Sequence, residues 1–277
     1  MQVTTTYYNF YSSSSLFHGS ILNIMGTRLD VVIIVEDLAS GVRIWDGLVA
    51  EVKSLDELLN RFSANSEITK INHQASQQPV AVSDELWEIL IDCKLYHKLT
   101  LGLFDISLRN FDKVELHTEQ KTVFFKNSDI NLDFGGFAKG YAIEKLKARL
   151  LNEKITQAFI NFGNSSIGCI GTHPYGENWS VSVENPFNPT QILGEVFLKD
   201  NCLSVSGNTP ANSKHIIHPE TGKYVEGKKI TCISTTNAAI AEVLSTTFLL
   251  TTSQEKSVIR ENFANIAVYD EKEYYAQ

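Results

Sequence analysis

Leu29 to Glu36 (LDVVIIVE) is a β-branched run after the turn-prone Met25-Gly26-Thr27, and it predicts a buried strand. Residues 1–24, rich in Tyr, Phe and Ser and closed by His18-Gly19-Ser20, predict a strand or arm ahead of it. From about Ala39 to Ser63 the apolar spacing turns helical, through Val42, Ile44, Trp45, Leu48, Val49, Val52, Leu55, Leu58, Leu59 and Phe62. A second helix fits Ser83 to Thr100, with Ser83 as N-cap and Asp84 and Glu85 where the helix dipole favours carboxylates. A turn at Gly102, short strands near Lys113–Leu116 and Thr122–Lys126, and a glycine-interrupted segment Leu132–Gly140 follow. A helix is then predicted from about Lys139 to Asn152.

Residues 155–235 alternate short apolar runs with turn signals: AFINFG, SIGCIG, WSVSVE, LGEVFL, CLSVSG and KITCIST. A last helix near Asn237–Thr251 precedes a mixed C-terminal tail at 252–277. Helices and hairpin-linked strands fall in blocks, which predicts an α+β fold with a mainly antiparallel sheet and helices packed outside it. No repeat or linker divides the 277 residues, so a single domain is expected, with 1–24 as an arm or strand.

Composition narrows the function classes. With 43% hydrophobic residues the chain can offset the entropy of ordering itself. A formal net charge of −8 argues against a non-specific nucleic-acid binder, which needs basic surface to release counterions. Cys93, Cys169, Cys202 and Cys232 are scattered singly, without zinc-ligand spacing or a disulfide framework. No apolar run approaches the roughly 20 residues of a membrane helix. The N-terminus shows no basic n-region, no continuous apolar h-region and no Cys for lipid attachment, so as written the sequence predicts a cytoplasmic protein. Export or membrane anchoring is the alternative if a signal has been removed.

Three segments are too particular for plain scaffolding. Asp133-Phe134-Gly135-Gly136-Phe137-Ala138-Lys139-Gly140 is a glycine-rich turn entering a helix. Backbone N–H groups at such a helix start suit phosphate, and Lys139 adds positive charge; a glycine-packed turn is the plainer alternative. Lys214 to Lys223 carries His215 and His218, with Pro219 and a Thr221-Gly222 turn making it a strand that runs into a loop. On a strand the two histidines point to opposite faces, which disfavours a shared metal and leaves His215 as a general acid/base or a phosphate contact, or as an ordinary surface histidine. In Ala241 to Thr247, Glu242 and Thr246 stand i,i+4 on a helix. A carboxylate and a hydroxyl so placed can hold a hard cation, or can be an exposed Glu and a Thr bonded back to its own helix.

With quieter blocks, these segments resemble the ApbE family, the FAD:protein FMN transferases. The likeness begins at Met25-Gly26-Thr27 and continues through Phe62-Ser63, Ser66-Glu67-Ile68 and Asn72. Thr100 to Ser107 resembles the family's TDGAFDPT, and LDFGGFAKGYAIEK its LDLGGIAKGYAVD. NFGNSSIGCIG, Ser204-Val205-Ser206-Gly207, His215 to Gly222 and Ala241 to Thr247 match its NLGG turn, TSG turn, HIIDPxTG and ADALSTA in order, across about residues 25–250. The resemblance implies an α+β enzyme, a Mg²⁺-dependent transferase that moves FMN from FAD to a Thr or Ser of an acceptor protein and releases AMP. FAD hydrolysis to FMN and AMP, or a non-catalytic flavin-binding relative, are the alternatives it leaves open. Carried across, Ala138 (by its carbonyl), Glu242, Thr246 and Ser245 would hold Mg²⁺, and His215 would stand nearest the reacting phosphate. Met25, Leu103, Phe104, Asp105, Gly135, Lys139, Tyr141 and Ile216 would line the FAD site. The chain departs from the family's pattern in having Glu242 for Asp, Leu101 for Asp, Ile106 for Pro, His218 for Asp and Asn164 for Gly, and in a short stretch between Ser107 and Thr122.

Overall fold

The run at 29–36 becomes an interior strand of an eight-stranded sheet. A computed structural model describes residues 4–210 and 215–276. Strands β1 (Thr5–Tyr11), β2 (Leu16–Ile24) and β3 (Thr27–Ile34) form an antiparallel meander. The β2–β3 turn is the two-residue Met25-Gly26, both at positive φ (46° and 74°), the geometry that matches the twist of a tight hairpin. Helix α1 (Leu38–Leu59) starts under Asp37, whose side chain accepts from the Ser40 N–H at 2.8 Å. It ends at Leu59, four residues before the helix read from the sequence, and Phe62 lies outside it, 84% exposed beneath the Arg61 guanidinium.

Helix α2 (Glu67–Gln74), strand β4 (Val80–Ala81), helix α3 (Asp84–Leu99), and strands β5 (Val114–His117) and β6 (Thr122–Phe125) follow. Ser83 caps α3 as its sequence position predicts, accepting from the Leu86 N–H. The three short strands make a small sheet in the order β4-β6-β5. Helix α4 (Ala138–Asn152) leads into β7 (Ala158–Phe162), β8 (Ser166–Ile170), the hairpin β9 (Trp179–Asn185) and β10 (Asn188–Leu198), β11 (Cys202–Gly207) and β12 (Lys229–Thr235). Helix α5 (Ala238–Leu250) comes next. The stretch after 251, expected as a mixed tail, is helix α6 (Ser253–Phe263) and edge strand β13 (Tyr269–Tyr275).

The large sheet runs β1-β2-β3-β7-β8-β11-β12-β13, every neighbouring pair antiparallel. With the helices packed on it, this is an α+β fold. Side chains alternate across the strands, so the sheet has two distinct faces. On one, Ala158, Ile160, Phe162 and Cys202 pack with Ile44, Trp45 and Leu48 of α1 and Ile143 and Leu146 of α4. On the other, Ile167, Cys169, Leu203 and Ile230 pack under the β9–β10 hairpin with Trp179 and Val196. A further core joins α2, α3, α5 and α6 with the small sheet, through Leu90, Phe125, Phe137, Leu244 and Phe248.

Helix α5 is therefore buried nearly all round, between the large sheet and this third core. Any charged or hydroxyl side chain on it has to find partners within the protein. Among the described residues no helix is long and apolar enough to cross a membrane. Residues 1–3 of the expected N-terminal arm, Lys214 of the histidine segment and Gln277 of the tail lie outside the described residues.

Candidate active site

The start of α4 is capped from another helix. Its own N-cap residue, Phe137, has no side chain able to accept a hydrogen bond, so the first-turn N–H groups need an outside acceptor. Glu242 of α5 supplies it: Oε2 accepts from the Gly140 N–H at 2.6 Å. The two helices touch here because position 140 is glycine; a Cβ there would stand 2.5 Å from the Ala238 carbonyl oxygen. Glu242 is 3% exposed, and its charge sits at the positive end of the α4 dipole. Oε1 pairs with the Lys139 ammonium and accepts from Ser166 Oγ at 3.0 Å.

Beneath α5 the sheet presents a row of hydroxyls. Ser204 lies opposite Ser166 across the β8–β11 ladder, and Ser206 opposite Thr231 across β11–β12. Ser245 Oγ lies 2.9 Å from Ser204 Oγ and 2.8 Å from Ser206 Oγ, and Ser206 Oγ lies 3.1 Å from Thr246 Oγ1. Thr231 Oγ1, on the same row, is buried with no hydrogen-bond partner among the described residues. Lys139, Glu242, Ser245 and Thr246 are thus brought into one neighbourhood, with Ala138 next to Lys139 at the start of α4, although 103 residues separate Lys139 from Glu242 in the chain.

The loop before α4 is braced at its base and open at its tip. Asp133 Oδ1 accepts from the Gly135 N–H at 2.8 Å while Oδ2 pairs with Arg61 Nε at 3.1 Å. The Asp133 N–H donates to the Ile106 carbonyl at 2.6 Å, tying this loop to the 101–107 turn. A Cβ on Gly136 would meet no protein atom within 4 Å, so no contact within the protein accounts for a glycine there.

The remaining residues expected at a ligand are placed differently. Met25 is half-buried, and its N–H donates to Asp56 Oδ1 at 3.2 Å. Burial raises the Asp56 carboxyl above the ordinary range. Leu103 and Phe104 are 4% and 6% exposed within the core, so what they offer a ligand is backbone. Asp105 spends its carboxylate on its own turn, accepting from the Ser107 N–H and hydroxyl, both at 2.7 Å, and from the Phe111 N–H. Tyr141 sits about 200° around α4 from Lys139, stacks on Phe137 and directs its hydroxyl to Glu85 at 3.3 Å. The structure does not bring it to Glu242. Ile216 is buried and its carbonyl accepts from the Val225 N–H.

The segment holding His215 is a loop rather than the expected strand. Its only ladder contact among the described residues is the isolated bridge Ile217–Tyr224, and turn bonds between His218, Gly222 and Lys223 replace the extended pairing. Pro219 and Gly222, at φ 66°, bend the chain back before a strand can form. His215 is exposed, on the connection that leaves β11 next to Ser206. His218 Nδ1 is buried with no hydrogen-bond partner among the described residues.

Ser166, Ser204 and Ser206 join Glu242, Ser245 and Thr246 only through the sheet register, so no local sequence signal marks them. The Arg109 guanidinium lies against Gly222, so the 101–110 turn and the histidine loop meet there. A cavity of about 530 Å³ lies between the large sheet and the β9–β10 hairpin, lined by Phe159, Asn161, Asn164, Val183, Val205 and Asn208 among others. Phe159, Ile167 and Val205 alternate with Ser166, Ser204 and Ser206 along their strands, so this cavity is on the face away from Glu242.

The acceptor groups gathered at Glu242 are all oxygen: one carboxylate and several hydroxyls. No group of three or more His, Cys, Asp or Glu able to hold a metal occurs among the described residues. A single carboxylate with hard neutral oxygens suits Mg²⁺ better than zinc or a heavier transition metal.

A family model described as the ApbE family matches residues 25–114 and 107–269. The FAD:protein FMN transferase of Chlamydia muridarum (strain MoPn / Nigg) is 22% identical over 255 residues, covering 78% of this chain and 78% of that protein. That of Klebsiella pneumoniae (strain 342) is 22% identical over 222 residues, covering 66% and 68%. Among solved structures, the ApbE protein of Thermotoga maritima superposes with a TM-score of 0.78 at 19% identity, covering 96% of this chain and 93% of that one. The flavin transferase ApbE of Vibrio cholerae gives 0.78 at 16% identity, covering 99% and 98%. With one family model spanning most of the sequence and the same fold in its solved relatives, the chain belongs to the ApbE family.

Proposed function

We propose that this chain transfers the FMN moiety of FAD to a Thr or Ser hydroxyl of an acceptor protein, forming a phosphoester and releasing AMP. The observation that carries the reading is the convergence of Glu242, Lys139 and the α4 N-terminus over the buried hydroxyl row, in a family whose relatives are named FAD:protein FMN transferase. Phosphoryl transfer asks a protein for positioning and charge compensation more than for covalent chemistry. Lys139 and the positive end of α4 would face the pyrophosphate, the Ala138 and Gly140 N–H groups being held by the Phe134 carbonyl and Glu242, and Gly136 leaves room for it to approach the loop backbone. Met25, Leu103, Phe104, Asp105, Gly135, Tyr141 and Ile216 are assigned to the nucleotide as lining or loop-shaping residues.

Mg²⁺ would be held by the Ala138 carbonyl, Glu242, Thr246 and Ser245, and when bound it neutralises charge on the phosphate oxygens. In the transfer, the acceptor hydroxyl oxygen bonds to the FMN phosphorus as the bond from that phosphorus to the oxygen of AMP breaks. His215 is assigned to take the hydroxyl proton, and AMP departs with the bridging oxygen.

The test is to incubate the purified chain with FAD, with and without Mg²⁺, and separate the nucleotides by chromatography, then repeat with a Thr-bearing acceptor protein. Cleavage to AMP only with Mg²⁺, with FMN appearing on the acceptor, supports the reading. Free FMN and AMP, with none on the acceptor, would make it a hydrolase. A second reading, a non-catalytic flavin binder, is favoured by the saturation of Glu242, whose two oxygens already meet three donors. FAD held but uncleaved with both Mg²⁺ and acceptor present would establish it.

A further inference from the structure

We propose that Lys139 is an internal stand-in for the divalent cation, so that cation and nucleotide can each bind tightly only when the other is present. The proposal rests on the functional reading above and extends it to the order of events. Lys139 and Glu242 are 19% and 4% exposed at their side chains, and they are joined by an ion pair inside the protein. Oε2 is occupied by the Gly140 N–H, and Ser166 shares Oε1. A dication approaching this carboxylate meets an ammonium already in contact with it, and at such separations two like charges repel strongly in a partly buried site.

The local charge is balanced in the free protein, one cation to one anion. Adding a dication alone would leave a large positive excess next to the N-terminus of α4, itself positive. A pyrophosphate diester carries two negative charges. It would draw the Lys139 ammonium off Glu242 and give the incoming cation phosphate oxygens as further ligands. Lys139 has somewhere to go: its Nζ also lies 3.5 Å from the Gly135 carbonyl, at the open loop where Gly136 leaves space. The coupling is reciprocal by linkage, so FAD must bind more tightly in the presence of the cation by the same factor.

The experiment measures free Mn²⁺ by electron paramagnetic resonance in titrations of the intact chain, with and without saturating FAD, while flavin fluorescence reports FAD binding. The expected result is weak Mn²⁺ binding alone and about ten-fold or more tighter binding with FAD. In Lys139→Gln, Mn²⁺ should bind the free chain about ten-fold more tightly than in the parent, and the gain from FAD should shrink. A thermal melt checks that this variant is folded; if it is not, the parent titration with and without FAD decides alone. Equal Mn²⁺ affinity with and without bound FAD overturns the coupling and leaves the functional reading standing. No FAD binding at all overturns the functional reading itself. FAD binding with no Mn²⁺ binding under any condition overturns the cation site and this proposal with it.

Discussion

Glu242 on α5 caps α4 by accepting the Gly140 N–H at 2.6 Å, a bond that joins two helices 102 residues apart in sequence. An aspartate at this position would be one methylene shorter and could not span to Gly140, Lys139 and Ser166 together from the same helix. The glutamate gives the site a rigid, internally paired form, with the carboxylate built into the packing of α4 on α5.

That arrangement sets an order for substitutions at 242. Glu242→Ala would strand the buried Gly140 N–H and leave Lys139 without its counter-ion, costing about 2–4 kcal/mol in urea unfolding. Glu242→Gln keeps one acceptor oxygen, enough for the Gly140 N–H, and turns its amide NH2 toward Ser166 Oγ, which can accept it. With Lys139 left without its counter-ion it should cost about 1–2 kcal/mol, less than the Ala variant, yet abolish Mn²⁺ binding. Glu242→Asp should lose about 1 kcal/mol by giving up one partner, while FAD turnover holds or improves because the carboxylate is freed for a cation. An Asp variant with unchanged stability and no turnover would contradict this order.

The hydroxyl row separates structure from ligand binding. Ser245 is fully buried and bonds to Ser204, Ser206 and the Glu242 carbonyl, so Ser245→Ala should cost about 1–2 kcal/mol. Thr246 is less buried and has one hydroxyl neighbour within the protein, Ser206. Thr246→Val preserves its shape and should change stability by less than about 1 kcal/mol, but weaken Mn²⁺ binding in the presence of FAD. Equal Mn²⁺ affinity in parent and Thr246→Val would remove Thr246 from the cation site.

Much of this molecule is readable from its sequence where one physical signal dominates. The Ser83 cap and most of the short strands of 158–235 stand where periodicity and turn residues put them; the run read at 29–36 is a strand over Thr27–Ile34, and β10 begins at Asn188, five residues before the apolar run LGEVFL that marks it. Helix α6 carried a signal that went unread: Thr252 and Glu255 form a complete capping box. Helix α2 is only eight residues long and polar, although Ser66 caps it through the Thr69 N–H. Strand β13 (YDEKEYY) has four consecutive charged residues at its centre, as edge strands do, so no apolar alternation marks it. At the site, the i,i+4 spacing of Glu242 and Thr246 is local and legible. Ser166, Ser204 and Ser206 reach them only through strand register, and the Lys139–Glu242 pair only through the crossing of α4 on α5.

The four cysteines give a pH prediction. All are buried and unpaired with one another, and burial pushes the thiols of Cys202 and Cys232 up to about 12, despite Lys147 beside the first and Lys272 near the second. A thiol in the unfolded chain titrates near about 8.5, so between about pH 8.5 and about pH 12 the folded state holds more protons. Stability is therefore intact below about pH 8.5 and falls as the pH rises, by roughly 1 kcal/mol per pH unit for each such thiol. Urea midpoints across this range should show the fall, less steep in Cys202→Ala. A thiol reagent at about pH 8 should be silent until the protein is unfolded.

Two glycines in one loop-helix junction should respond oppositely to the same added methyl group. Gly140 is packed on the Ala238 backbone, so Gly140→Ala must push α4 off α5, costing about 1–3 kcal/mol and disturbing the Glu242 cap. Gly136 faces open space and has no positive φ, so Gly136→Ala should leave the melting temperature unchanged or slightly raised. If the loop receives a nucleotide against its backbone, that methyl group fills the room the phosphates need, and FAD affinity measured by flavin fluorescence should drop about ten-fold or more. Full FAD affinity in a stable Gly136→Ala protein would mean that the nucleotide does not approach the backbone at this loop.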